Sequence, residues 1–91
     1  MKYFEFDGNN FSYYALIGAK NEKEAFNMYK VEVDEEVKNI YNIKELKIYE
    51  AIERSHNALK GEVDNEEILK MYMECEGTQE STLLLIDGAL L

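Results

Sequence analysis

The sequence predicts an α+β fold in a single domain spanning residues 1–91, with the order β-β-α-β-α-α-β. Its sheet should be four-stranded and largely antiparallel, with the helices packed on one face. Three observations predict this. The chain opens on an alternating, aromatic-rich stretch, "KYFEF", followed by turn residues and a second apolar run. Two side-chain caps with a glutamate three residues on, at Asn21/Glu24 and Asp64/Glu67, each announce a helix. Apolar residues make up 46% of the 91, enough for a small core, although a chain this short buries a smaller share of its surface than a large domain does.

Taken in order, residues 2–6 read as the first strand. "DGNN" (7–10) is a turn built on residues that tolerate positive φ, and "FSYYALIGA" (11–19) is the returning strand of a hairpin. After Asn21, the residues Phe26, Tyr29, Val33, Val37 and Ile40 recur at steps of three and four. They fall within an arc of about 80°, which predicts one helix over 22–40. Val31 lies off that stripe, and "KVEVDEE" is where a break would fall. "NIKELKIY" (42–49) predicts a third strand with Leu46 and Ile48 on one face. A helix over 50–60 follows, carrying Ile52, His56 and Leu59 on one side and ending at Gly61. Asp64 and Glu67 start a further helix through Cys75 or Glu76, which Gly77 stops. "STLLLID" (81–87) is a strand of buried type, and "GALL" trails behind it.

The net charge of −9 is unevenly placed. Residues 1–30 balance four acids with four bases, residues 31–60 hold seven acids and five bases, and residues 61–91 hold eight acids against Lys70 alone. Such a field attracts basic partners and repels phosphate over about 8–10 Å at physiological salt, so direct binding of DNA or RNA is disfavoured. No apolar run approaches the roughly 20 residues that span a bilayer, and the first residues hold no secretory h-region. With one cysteine there is no internal disulfide framework. These features predict a cytoplasmic protein, in the host cytoplasm if phage-encoded, with no membrane partner.

The reactive chemistries fail one by one. "DNEEILKMYMEC" begins like a calcium loop, but the places that need Gly and Glu hold Leu69 and Cys75. Ser55 and His56 are neighbours on a helix, about 100° apart, and cannot act as nucleophile and base. His56 reads as a core-edge histidine and Cys75 as a packing cysteine. The five glycines are too dispersed for a phosphate-cradling loop. The expectation is a non-enzymatic protein with no catalytic residues, metal or cofactor.

The carboxylates of the last third divide by local need. Asp64, Glu66 and Glu67 sit at a helix cap and first turn, where the helix dipole favours negative charge, and Glu66 should face Lys70 four residues on. Glu74, Glu76 and Glu80 cluster at the opposite end, where negative charge costs a few tenths to about 1 kcal/mol at low salt. No base in that stretch offsets them. On the helical wheel Leu69 and Met73 widen the apolar arc to about 200°, beside the acids. Either they pack under the preceding helix or they form a half-exposed apolar spot ringed by carboxylates. The acids at Glu32, Asp34, Glu35 and Glu36 wrap their helix without making a face, and read as solvated.

The hairpin "MKYFEFDGNNFSYYALIGA", the segment "NEKEAFNMYK" and the acidic C-terminal third together resemble the small acidic proteins of phages and mobile elements, some of them anti-CRISPR or other anti-defence inhibitors. The resemblance is one of size and character and carries no motif residue across. It implies a non-catalytic inhibitor that presents an acidic surface to a basic, nucleic-acid-binding effector of a host defence system. The contact surface would comprise Glu62, Asp64, Glu66, Glu67, Met73, Glu74, Glu76 and Glu80. The alternative is a self-associating accessory domain, a homodimer formed through "STLLLID" as a sheet edge or through an apolar face, with acidity serving solubility alone.

Overall fold

The computed structural model describes residues 1–86 and the backbone of residues 89–90. The elements run β1 (Lys2–Phe6), β2 (Ala15–Ala19), α1 (Glu22–Glu32), β3 (Lys44–Leu46), α2 (Ile48–Ala58), α3 (Asn65–Thr78), β4 (Thr82–Ile86) and β5 (Ala89–Leu90). The sheet order is β3-β1-β2-β4-β5 with every pairing antiparallel. The α+β class and the antiparallel four-stranded core are as expected, and β5 adds a short fifth strand. Asp87, the last residue of the expected strand, lies outside the described residues, as do Gly88 and Leu91 of the trailing "GALL".

The helices do not share one face. Phe4, Phe6, Ala15, Ile17 and Ala19 point to one side of the sheet and meet Ala25 and Tyr29 of α1. Tyr3 and Leu16 point to the other side and meet Ala51 and Leu59 of α2 with Ile68, Tyr72 and Cys75 of α3. The sheet is therefore a middle layer, and every residue of β2 is buried. The reason is in "ALIGA" itself, which offers no polar residue for a solvent face. On the α1 side the core is aromatic: the Phe6 and Tyr29 rings stack at 4.4 Å between centroids, and Phe11 meets both edge-on. The Tyr29 hydroxyl donates to the Tyr13 carbonyl at 2.7 Å and accepts from the Tyr13 amide at 3.2 Å, tying down the β1–β2 loop.

That loop spans residues 7–14, longer than a tight hairpin turn. It closes through the Asp7 carbonyl, which accepts from the amides of Asn10 and Phe11, and the Asp7 carboxylate, which accepts from Asn9. No residue of "DGNN" uses positive φ; among the described residues that conformation falls to Asn42, Gly61 and Gln79. On the α2–α3 side, Gly18 lets α3 pack closely against β2. A Cβ there would stand 2.6 Å from Cys75 Sγ and 3.3 Å from the Tyr3 ring. The β2–β4 register shifts between Leu16 and Ile17, so the adjacent Leu84 and Leu85 both reach the α2–α3 core while Leu83 serves the α1 side. That bulge is why "TLLLI" shows no alternation.

The returning strand, expected over 11–19, begins only at Ala15, because the Asp7 carbonyl holds the preceding residues in the loop. Three further boundaries differ from expectation. The helix expected over 22–40 ends at Glu32. The Tyr29 carbonyl accepts from both Val33 and Asp34, and the Asp34 carboxylate accepts from the Glu36 amide, a turn that competes with further helix. The strand expected over 42–49 stops at Leu46, and Ile48 and Tyr49 open α2 instead. The Lys47 amide donates to Glu50 Oε1 at 2.9 Å, the back-bond of a helix start. Gly77 does not stop α3, which continues to Thr78. Gln79, at φ 60°, ends it, and its side-chain amide donates to the Glu76 carbonyl. Among the described residues no helix is long and apolar enough to cross a membrane.

Candidate partner-binding site

α2 and α3 form an antiparallel pair: Ile48, at the start of α2, lies by Met73 and Gly77, and His56, near its end, lies by Asn65. Tyr72 fixes the two helices together. Its hydroxyl donates to the Ala51 carbonyl at 2.8 Å and lies 2.6 Å from Ser55 Oγ, all buried. Below, Arg54 Nε and the Tyr14 hydroxyl both donate to Glu5 Oε2, at 2.9 and 2.7 Å, so α2 is also pinned to β1 through a carboxylate buried in the sheet. The partners raise the Arg54 pKa, and burial followed by the Glu5 bond raises that of Tyr14.

Outside this seam the two helices leave an apolar groove. Its floor is Ile52, Ile68 and Tyr72, and its walls are Ile48, Tyr49, Leu69 and Met73. Met73 is 74% exposed, Tyr49 62%, Leu69 48% and Ile48 41%. Of the two alternatives for Leu69 and Met73, the half-exposed spot is the one formed. Two residues that sequence reasoning placed on a strand, Ile48 and Tyr49, complete it. Glu50, three residues beyond Lys47, was the available signal that a helix begins there.

The carboxylates of the last third do not share one face. Asp64 caps α3, its carboxylate accepting from the Glu67 amide at 2.9 Å, and Glu66 and Glu67 are exposed in the first turn. Glu66 forms no ion pair with Lys70: among the described residues the ion pairs within 4 Å are Arg54–Glu5 and the Met1 amino group with Glu76. Glu76 therefore does have a positive neighbour, at 3.5 Å, contributed from outside its own stretch. It lines the α2–α3 groove, whereas Glu74 lines the cleft on the other flank of α3, with Met71, Cys75, Thr78 and Thr82. Two residues apart is about 200° around a helix, so these neighbours cannot share a surface. Glu80 follows the αL cap, and Glu62 lies in the α2–α3 loop; both are exposed.

The nucleophiles near the groove are taken up by packing. Ser55 is buried against Tyr72, and burial pushes the Cys75 thiol up, away from the reactive thiolate. The Tyr3 hydroxyl, buried beside that thiol, meets no nitrogen or oxygen partner among the described residues. His56 is exposed at the groove's end, not at the core edge. Among the described residues no group of three or more His, Cys, Asp or Glu could hold a metal ion. What the arrangement offers is a surface: apolar walls, carboxylates beside them, and a rigid seam beneath.

Residues 1–85 match the family model of the YosH C-terminal domain. The chain belongs to that family. No curated protein and no solved structure matches it. In this YosH C-terminal domain the matched residues take in α1, α2, α3 and the sheet as far as Leu85, so the groove and the acidic helix both lie within the family's own module.

Proposed function

We propose that this YosH C-terminal domain is a non-catalytic protein-binding module that presents an acidic surface to a basic partner. The partner we favour is a nucleic-acid-binding effector of a host defence system, which the module would inhibit in the cytoplasm. One observation carries the reading: Glu62, Asp64, Glu66, Glu67, Glu74 and Glu80 are exposed and have no ion-pair partner among the described residues. Glu74 and Glu80 hold negative charge at a helix end whose dipole opposes it, so their presence does not serve folding. A groove built to neutralise phosphates also accepts carboxylates, and such complementarity raises the rate of encounter.

Capture from host extract by the immobilised domain should yield a basic protein. Changing Glu74, Glu76 and Glu80 to Gln should weaken its binding and flatten the dependence on salt, with the circular dichroism spectrum unchanged. Unaltered affinity in a folded triple variant would sink the reading. The exposed wall of Ile48, Tyr49, Leu69 and Met73 favours a second reading, self-association through that apolar face. In the strand version of that idea a second copy would pair along residues 82–84, since β4 pairs with β2 on one side and with β5 at Leu85 and Ile86 on the other. A dimer that forms with concentration and ignores salt in sedimentation would support the second reading.

A further inference from the structure

We propose that the groove between α2 and α3 receives an amphipathic α-helix of the partner, apolar on one face and flanked by lysine or arginine. This rests on the protein-binding reading and specifies what part of the partner is bound.

Three features select a helix. The groove consists of two adjoining hollows that share Ile52 and Leu69, and together they follow α3 from Asn65 to Gly77, about 18 Å at 1.5 Å per residue, the length of three to four helical turns. Its walls are side chains of two helices whose backbone groups are bonded within the helices, so an extended peptide would find no main-chain partners there. A helix brings its own backbone already satisfied and needs only an apolar stripe to lay between Ile48 and Tyr49 on one side and Leu69 and Met73 on the other. Met73, long and unbranched, can adapt to side chains of different shape.

Charge selects a basic occupant over a second copy of this chain. The acids lining the groove are Glu53 near one end and, at the other, Glu76, which also meets the Met1 amino group at 3.5 Å; no lysine or arginine among the described residues lines it. Lys47 stands at its margin over the Tyr49 ring, 5.9 Å from the centroid. In the chain Glu62 and Asp64 precede the stretch of α3 that lines the groove, Glu80 follows it, and Glu66 stands in its first turn, all of them exposed. Two copies meeting through this face would oppose these carboxylates, each chain carrying a net charge of −9. Lysines on either flank of a bound helix would meet them instead.

The test uses the whole chain and a synthetic peptide of about fourteen residues, with leucines at i, i+3, i+4 and i+7 and lysines on both flanks. A scrambled peptide of the same composition has no apolar stripe. Binding is read by fluorescence anisotropy, and peptide helicity by circular dichroism. The amphipathic peptide should bind and gain helicity, and the scrambled one should bind at least about tenfold more weakly. Leu69→Ser with Met73→Ser, both exposed positions, should reduce binding about tenfold or more in a domain that stays folded. Glu74→Gln with Glu80→Gln should reduce it only a few-fold, mainly at low salt. Equal binding of both peptides, lost in the glutamine variant alone, would overturn the groove and leave the acidic-surface reading standing. Failure of both peptides to bind would overturn the two together. A dimer abolished by Leu69→Ser and Met73→Ser would make the occupant a second copy and overturn the basic helix.

Discussion

Ser55 Oγ and Tyr72 Oη stand 2.6 Å apart in the buried seam between α2 and α3, and the single Tyr72 hydroxyl proton is directed to the Ala51 carbonyl 2.8 Å away. A phenol has one proton, so Ser55 is the donor within its pair. The two substitutions therefore differ. Tyr72→Phe strands the Ser55 hydroxyl in the core and should cost about 1–3 kcal/mol, while Ser55→Ala leaves the Tyr72–Ala51 bond intact and should cost about 0.5–1.5 kcal/mol. Urea denaturation measures both, and equal costs would mean that the proton runs the other way.

The same tyrosine gives a dependence on pH. Burial pushes the Tyr72 pKa from 10.0 to about 12, and burial raises Tyr3 and Tyr14 in the same direction. The folded state holds these protons more tightly than the unfolded chain. Their contribution is therefore fully present below pH 10.0 and is lost as the pH rises through the folded pKa values. Stability should fall steadily from pH 10.0 to about 12, and Tyr72→Phe should make that fall shallower. A midpoint that does not move over this range would contradict the burial of these hydroxyls.

Gly18 is required by its neighbour and not by its backbone. Gly18→Ala would set a Cβ 2.6 Å from Cys75 Sγ, with a cost of about 1–3 kcal/mol for overpacking. The penalty should shrink when Cys75 is also changed to Ala, because the atom in the way is gone. A double-mutant cycle reads the coupling directly, and additive costs would place the clash elsewhere.

Arg54→Met should destabilise the domain by about 1–3 kcal/mol, since it leaves the Glu5 carboxylate in the protein with the Tyr14 hydroxyl as its remaining side-chain donor. Adding Glu5→Gln should recover most of that loss, as the amide oxygen can still accept from Tyr14 and no charge is left uncompensated. Thermal melts of the single and double variants are sufficient, and a double variant no better than Arg54→Met alone would be the contrary result.

Glu74→Lys should raise stability by a few tenths to about 1 kcal/mol at low salt, because a cation suits the last turns of α3, and the gain should fade as salt is added. Under the proposed function the same change should weaken partner binding. Stability and binding measured on one variant would then move in opposite directions; a gain in both would count against the acidic surface.

Local chemistry was legible in the sequence where one residue acts on its neighbours. The caps at Asn21 and Asp64 are both present, with their carbonyl or carboxylate oxygen accepting from Glu24 and Glu67 at 2.9 Å. Burial of Cys75 was legible from the helical period. The end of α1 was not, because Val33 and Val37 continue the period while a competing turn at Asp34 breaks the helix. Which face α1 covers was also hidden, although five apolar residues in a row at Ala15–Ala19 are the mark of a strand buried on both sides. Of the site, the acids and Met73 were visible, and the opposite wall at Ile48 and Tyr49 was not. The Glu5–Arg54 pair joins residues 49 apart, and no periodicity connects them.

Glu5 has one further consequence, for how β1 finds its partners. A slip of one residue would exchange the two sides of the strand, and for Tyr3, Phe4 and Phe6 the exchange is of one apolar layer for another. At Glu5 it is not. The slipped strand would drive a carboxylate among Phe11, Ala25 and Tyr29, far from Arg54 and Tyr14. A single acid thus discriminates between two otherwise similar ways of assembling the sheet, and the glutamate of "KYFEF" acts as the strand's alignment mark.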